Sequence, residues 1–211
     1  VRPFLTSLIT AATVITAAAF SVGDGTAIAA ADSGASESVA EDYHAAVDVI
    51  ADYWAQQAPE MFGIDYEPPT VRGVIDPGDA TACGPMPEMN AIYCPRDHSV
   101  QFGSDYLELA DSIGDVIVYD VVAHEWGHAI LAQVPSSLVE DPQELQAECL
   151  AGGALGDLAR DGVIVVEDGD LEEVVKLFRY SDAPGDAHGT AEQQALAFAA
   201  GWRQGPAACF E

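Results

Sequence analysis

Residues 121–128 read Val121-Val122-Ala123-His124-Glu125-Trp126-Gly127-His128, and this stretch decides how the chain is read. Ile117 and Val118 stand before it and Ile130 and Leu131 after it, so the pattern predicts a helix set inside a core. Positions four apart on a helix share a face, which lets the imidazoles of His124 and His128 reach one ion. Glu125, next to the first imidazole, can lean over an open coordination position and take a proton from a zinc-activated water. Two histidines on a solvent-facing helix would need no ion, but these flanks are too apolar for a surface. Gly127 in mid-helix is costly unless another element packs closely against it. Trp126 points away from the ion by helix geometry.

Two imidazoles do not complete a zinc site; a third protein ligand is needed. Beyond Pro135 the chain offers Asp141-Pro142-Gln143-Glu144-Leu145-Gln146-Ala147-Glu148. Glu144 and Glu148 lie four apart on one face of a second helix, and at about 1.5 Å of rise per residue either can come level with the two histidines. Spacing leaves both open as the third ligand, the other then supporting a histidine or the ion from behind. A different use for Glu144 is helix capping, with Asp141 as N-cap and Pro142 as the first helical residue.

H-E-x-x-H followed by E-x-x-A-E resembles the gluzincin metallopeptidases. More closely, the chain is similar to the bacterial neutral zinc metallopeptidase family. Four stretches carry this: Ile92-Tyr93-Cys94-Pro95 with Asp97; Ala123 to His128; Glu144 to Gly152; and Gly185-Asp186-Ala187-His188-Gly189-Thr190-Ala191-Glu192-Gln193-Gln194, with Cys209-Phe210 after it. The resemblance implies a zincin-like fold and one zinc per chain, held by His124, His128 and Glu144 with Glu148 behind a ligand. It also implies that His188 sits near the site. Two positions depart from the pattern. Glu148 stands where Asp is usual, so its longer side chain asks for a different helix approach. Gln194 stands where Arg is common, which removes an ion pair that could hold the His188 segment.

The residues around His188 read as a loop before a helix, with Thr190 as N-cap. A histidine there can donate to a developing oxyanion. His44 and His98 lack any partner spacing and read as surface residues.

Working outward, apolar residues at three- and four-residue spacing from Ser38 (Tyr43, Val47, Ile50, Trp54) predict an amphipathic helix ending near Pro59. Short β-like runs follow at 70–75, 91–94 and 99–102. Further helices are expected near 112–134, 141–160, 169–180 and 190–203, broken at Pro135, Gly162, Pro184-Gly185 and Gly205-Pro206. A small N-terminal antiparallel sheet followed by a mostly helical half is an α+β arrangement. The 99–102 strand is expected at the sheet edge, where it could align an extended peptide by strand addition. The acids Glu167, Asp168, Asp170, Glu172 and Glu173 fit a helix N-terminal acidic cap.

The first 31 residues read as a secretory leader: Arg2, an apolar run of about 17 residues to Phe20, then Ala-x-Ala sites near 27–31. Residues 32–40 read as a flexible linker and 41–211 as one domain. Export to an oxidising compartment makes disulfides of the four cysteines. Cys83 and Cys94 bracket a Gly-Pro-rich loop and pair locally; Cys149 and Cys209 then pair across about 60 residues, worth roughly 4 kcal/mol in the chain-entropy picture. A Cys₄ zinc site is excluded, because no two cysteines are close enough in sequence.

The 211 residues carry 35 Asp and Glu against 7 Lys and Arg, for a net charge of −28. That field repels phosphate backbones and anionic lipid heads, so nucleic acid and membrane-surface partners are not expected once the leader is cleaved. The expected function is a secreted zinc metallopeptidase acting on a peptide or protein substrate, with Glu125 as general base and His188 at the oxyanion. The alternative is a non-catalytic, zinc-stabilised extracellular or cell-envelope binding domain.

Overall fold

A computed structural model describes residues 34–140, 142–180 and 187–210. The leader (1–31), the Asp141 cap and the Pro184-Gly185 break lie outside these residues. Helix α1 spans Gly34–Phe62, and strand β1 spans Thr70–Ile75. Two-residue strands β2 (Ala80–Thr81) and β3 (Gly84–Pro85) form a small hairpin. Strands β4 (Ala91–Cys94) and β5 (Ser99–Gly103) follow, then helices α2 (Ser104–Ile113), α3 (Asp115–Leu131), α4 (Glu144–Arg160), α5 (Asp170–Tyr180) and α6 (Ala191–Gln204). Short 3₁₀ turns at Ser136–Leu138 and Pro206–Phe210 close the α3–α4 connection and the C-terminal end. The arrangement is α+β, with helices dominant.

The sheet departs from the sequence expectation. Its order is β1-β5-β4, with β4 antiparallel to β5 but β1 parallel to it, so it is mixed rather than antiparallel. The 76–98 segment between β1 and β5 is long enough for the crossover that parallel pairing requires. β5 is therefore the central strand and not an edge, and all five of its residues are buried. The polar ones are paired: Ser99 donates to Asp97 at 2.6 Å, and Gln101 donates to Ser99 at 3.2 Å.

The helix boundaries shift for local reasons. α1 begins at Gly34, inside the stretch read as a linker; Ala, Ser and Glu there allow a helix that the apolar pattern could not mark. It runs on to Phe62, where Gly63, with φ of 64°, turns the chain out. The expected 112–134 helix is α3, which starts at Asp115 because Gly114 ends a separate helix, α2, that the sequence reading did not mark. α3 is buried on nearly every side, from Val116 to Leu131, so its apolar run has no face whose period could locate its ends. α4 begins at Glu144, and Gln143 before it makes no side-chain cap.

The core gathers Trp54 and Ile50 of α1, Phe102 of β5, Ile117, Trp126 and Ile130 of α3, and Leu150 and Leu155 of α4. α4 packs most extensively on α6. Glycines make that contact possible: a Cβ on Gly201 would run into the Cys149 carbonyl. The cysteines pair as the sequence indicates, Cys83 with Cys94 and Cys149 with Cys209. Gln146, buried in α4, donates to the carbonyls of Leu138 at 2.7 Å and Cys209 at 2.9 Å. The C-terminal turn is thus tied to α4 by a covalent bond and a hydrogen bond. No helix among the described residues is long and apolar enough to cross a membrane.

Candidate metal centre

α3 and α4 meet at Gly127, where a Cβ would stand only 2.8 Å from the Ala147 carbonyl oxygen. This is the close approach that a mid-helix glycine implied. His128 then faces Glu144 and His124 faces Glu148, so the two helices run antiparallel. Glu144 Oε2 lies 3.3 Å from His124 Nε2 and 3.2 Å from His128 Nε2. His124 turns its other nitrogen, Nδ1, to Glu148 Oε2 at 3.0 Å. In space the two carboxylates differ: Glu144 lies on the Nε2 side of both imidazoles, while Glu148 contacts His124 at Nδ1.

His188 joins them from the turn before α6, its Nε2 3.3 Å from the same Glu144 oxygen. One donor atom each from His124, Glu144 and His188 falls within 4.8 Å of the others, a group that could hold a metal ion. The His124 and His128 rings stand 4.9 Å apart, and those of His124 and His188 5.9 Å. The histidines differ in exposure: the side chains of His124 and His128 are 13% and 16% exposed, that of His188 43%. His188 therefore comes in from the open side.

Thr190 caps α6 with a full capping box to Gln193, as expected. Gln194, where an Arg would have offered an ion pair, is buried and donates to the Gly189 carbonyl at 3.2 Å. A neutral hydrogen bond holds the His188 turn instead of a charge. His98 is no loose surface residue: it is half-buried, and its nitrogens contact the Tyr93 hydroxyl and the Glu67 carbonyl, both at 2.8 Å. His44 is exposed, as read.

Glu125 is 6% exposed and buried beside the histidines. Burial raises its carboxyl above the ordinary range; the charges on His124 and His128 pull it down, Glu144 pushes it up, and the Tyr93 backbone N–H donates to it. Burial also opposes ionisation of Glu144, but hydrogen bonds and charge from His124 and His128 outweigh it and hold that carboxyl far below the usual range. His124 is desolvated, which disfavours its charge, yet Glu144 and Glu148 raise it well above an ordinary histidine. These directions describe a cluster in which carboxylates and imidazoles need a shared cation or shared protons.

A cavity of about 450 Å³ opens beside the cluster; its lining includes Glu125, His124 and His188, and also Asp120 and Tyr106. Asp120 and Tyr106 were not singled out from the sequence. Asp120 had a signal: it stands four residues before His124, an acid in an apolar run and on the histidine face. Burial first, and then the charge of Glu148, push its carboxyl well above the ordinary range. Tyr106 had no signal, because α2 itself went unread.

No protein-family model, curated protein or solved structure matches this chain.

Proposed function

We propose that the chain is a zinc-dependent peptidase of zincin-like fold, with the ion held by His124, His128 and Glu144. The observation that carries this reading is Glu144 Oε2 lying 3.2 to 3.3 Å from the Nε2 atoms of His124, His128 and His188, with Glu125 buried alongside. Two imidazoles and a carboxylate are a donor set that zinc takes, and the Glu148 contact to His124 Nδ1 is the support a ligating histidine commonly has. Bound there, zinc supplies a Lewis acid that acidifies water and polarises a carbonyl.

The chain's own residues then divide the work. Glu125, raised by burial, accepts the proton of the attacking water and passes it to the leaving amine. His188, on the open side, donates to the oxygen that gains negative charge. The strand beside Glu125 is β4, and it is a sheet edge; an extended substrate would pair there, not on the central β5. Secretion accords with the two disulfides, which persist in oxidising compartments.

A second reading draws on His188. If its Nε2, as near Glu144 as the other two imidazoles, were a fourth ligand, the site would be closed, as in structural zinc centres. The protein would then be a zinc-stabilised binding domain. Glu125→Gln tests the first reading: zinc content should stay at one per chain while hydrolysis of a broad peptide mixture falls by at least 10³-fold. Peptidase activity that survives this substitution would remove Glu125 as the general base, and a zinc-loaded unaltered protein that cleaves no peptide would remove the peptidase assignment.

A further inference from the structure

Among the described residues, Met89 and His98 are the non-glycine residues with positive φ, at 53° and 48°. That backbone region crowds a Cβ, and residues other than Gly, Asn and Asp seldom stand in it. His98 is held there by its own ring, which is bonded at both nitrogens. The Met89 side chain gains no comparable shelter and is 41% exposed. Its backbone is clamped instead. The Met89 N–H donates to Asp105 Oδ2 at 2.8 Å, and the other Asp105 oxygen accepts from the Tyr106 N–H at 2.9 Å. The Gly103 N–H donates to the Asn90 carbonyl at 2.9 Å, and a Cβ on Gly103 would stand 2.7 Å from that oxygen. The turn at Met89 is thus pinned to the start of α2, and glycine at position 89 would serve the turn better. A strained residue whose large apolar side chain is left exposed points to a use outside the fold.

Met89 lines the cavity of about 450 Å³ together with Leu109, Val121, Leu177 and Phe178, and His124 and Glu125 line the same cavity. Val121, Leu177 and Phe178 are buried, so the exposed Met89 stands at the mouth. We propose that Met89 is a specificity-determining residue at the mouth of an apolar subsite, which takes a large apolar side chain of the substrate, aromatic above all, beside the bond to be cleaved. The inference rests on the peptidase reading and adds a substrate class to it. The side chains of Leu109, Val121, Leu177 and Phe178 carry no polar atom that would need a partner, so removing an apolar side chain from water supplies the affinity. The cavity has the ordinary volume of a ligand pocket, more than a small side chain fills. An unbranched thioether adapts to the shape beside it and makes favourable contacts with aromatic rings.

Binding of N-acetylphenylalaninamide and of N-acetylalaninamide to the zinc-loaded protein, followed by NMR, reads the subsite without turnover. The first should bind more tightly by about tenfold or more. Peptides that differ only in Phe or Ala beside the cleaved bond should show a similar ratio in kcat/KM. Gly and Asn both accept the positive φ, so Met89→Gly and Met89→Asn should keep Tm and zinc content while each ratio falls about fivefold or more, as the loss of one apolar contact implies. A Met89 with a merely structural role would change both probes alike and leave the ratios intact, and that result would overturn its role. Loss of folding in both variants would overturn it too, since the side chain would then serve the fold. Equal binding of the two probes by the unaltered protein would overturn the subsite. Cleavage indifferent to the exchange of Phe for Ala refutes the subsite and leaves the peptidase standing. Selective binding of the phenylalanine probe without cleavage of any peptide refutes the peptidase and leaves the subsite standing.

Discussion

Replacing Gly127 by Ala sets two effects of opposite sign against each other. Helix propensity alone favours Ala over Gly by about 1 kcal/mol in a helix interior. Against this, the added Cβ would stand 2.8 Å from the Ala147 carbonyl oxygen and 3.0 Å from its Cα, where ordinary contact begins at 3.4 Å. α4 must withdraw by about 0.6 Å to clear that oxygen, and both neighbours are backbone, so no side chain can swing aside. Overpacking of this kind typically costs about 1–3 kcal/mol, enough to cancel the propensity gain or exceed it. The displacement is felt next door: Gly127 adjoins His128, and Ala147 adjoins Glu148. A zinc site tolerates ligand errors of only about 0.2 Å, so Gly127→Ala should weaken zinc at least tenfold and lower Tm. Zinc affinity by competition with a chelator, and Tm with and without zinc, read both effects. A Gly127→Ala protein with a raised Tm and unchanged zinc affinity would refute the claim that helix contact at this glycine sets the site.

Three further outcomes follow from the geometry. His188→Ala should keep one zinc per chain and lower kcat and kcat/KM by similar factors, on the order of 10² or more; loss of zinc in elemental analysis would make His188 a ligand and the site a closed one. Opening Cys149–Cys209 by Ser substitution should cost about 4 kcal/mol and opening Cys83–Cys94 about 3 kcal/mol, since the bridges span 60 and 11 residues; urea midpoints in the reverse order would contradict this. Asp120, Glu125 and His124 are raised from ordinary values of 3.8, 4.5 and 6.5. They keep protons in the folded state that the unfolded chain releases, so zinc-free stability should fall as pH rises from 5 to 8. Glu144, depressed from 4.5, loses its contribution only below that pH. Zinc needs unprotonated imidazoles and binds more tightly as pH rises. The Tm gap between zinc-loaded and zinc-free protein should therefore widen over this range; a constant gap would show that these groups do not couple to the ion.

Local chemistry made part of this protein legible in its sequence. His124, Glu125 and His128 are four-apart or adjacent on one helix, so helix geometry alone places them together. The Thr190 cap and both disulfide pairings also follow from short-range patterns and cysteine spacing. What the sequence left open were questions of which surfaces meet. Glu144 and Glu148 are equivalent by spacing, and only the antiparallel packing at Gly127 puts one carboxylate before the Nε2 atoms and the other behind Nδ1. The end of α3 at Leu131 was hidden because a helix buried all round shows no face. Strand order depends on a crossover, not on any residue within β5, so a central strand read as an edge. The cavity is lined from α2, α3, α4 and α5, and no single segment of the chain carries that information.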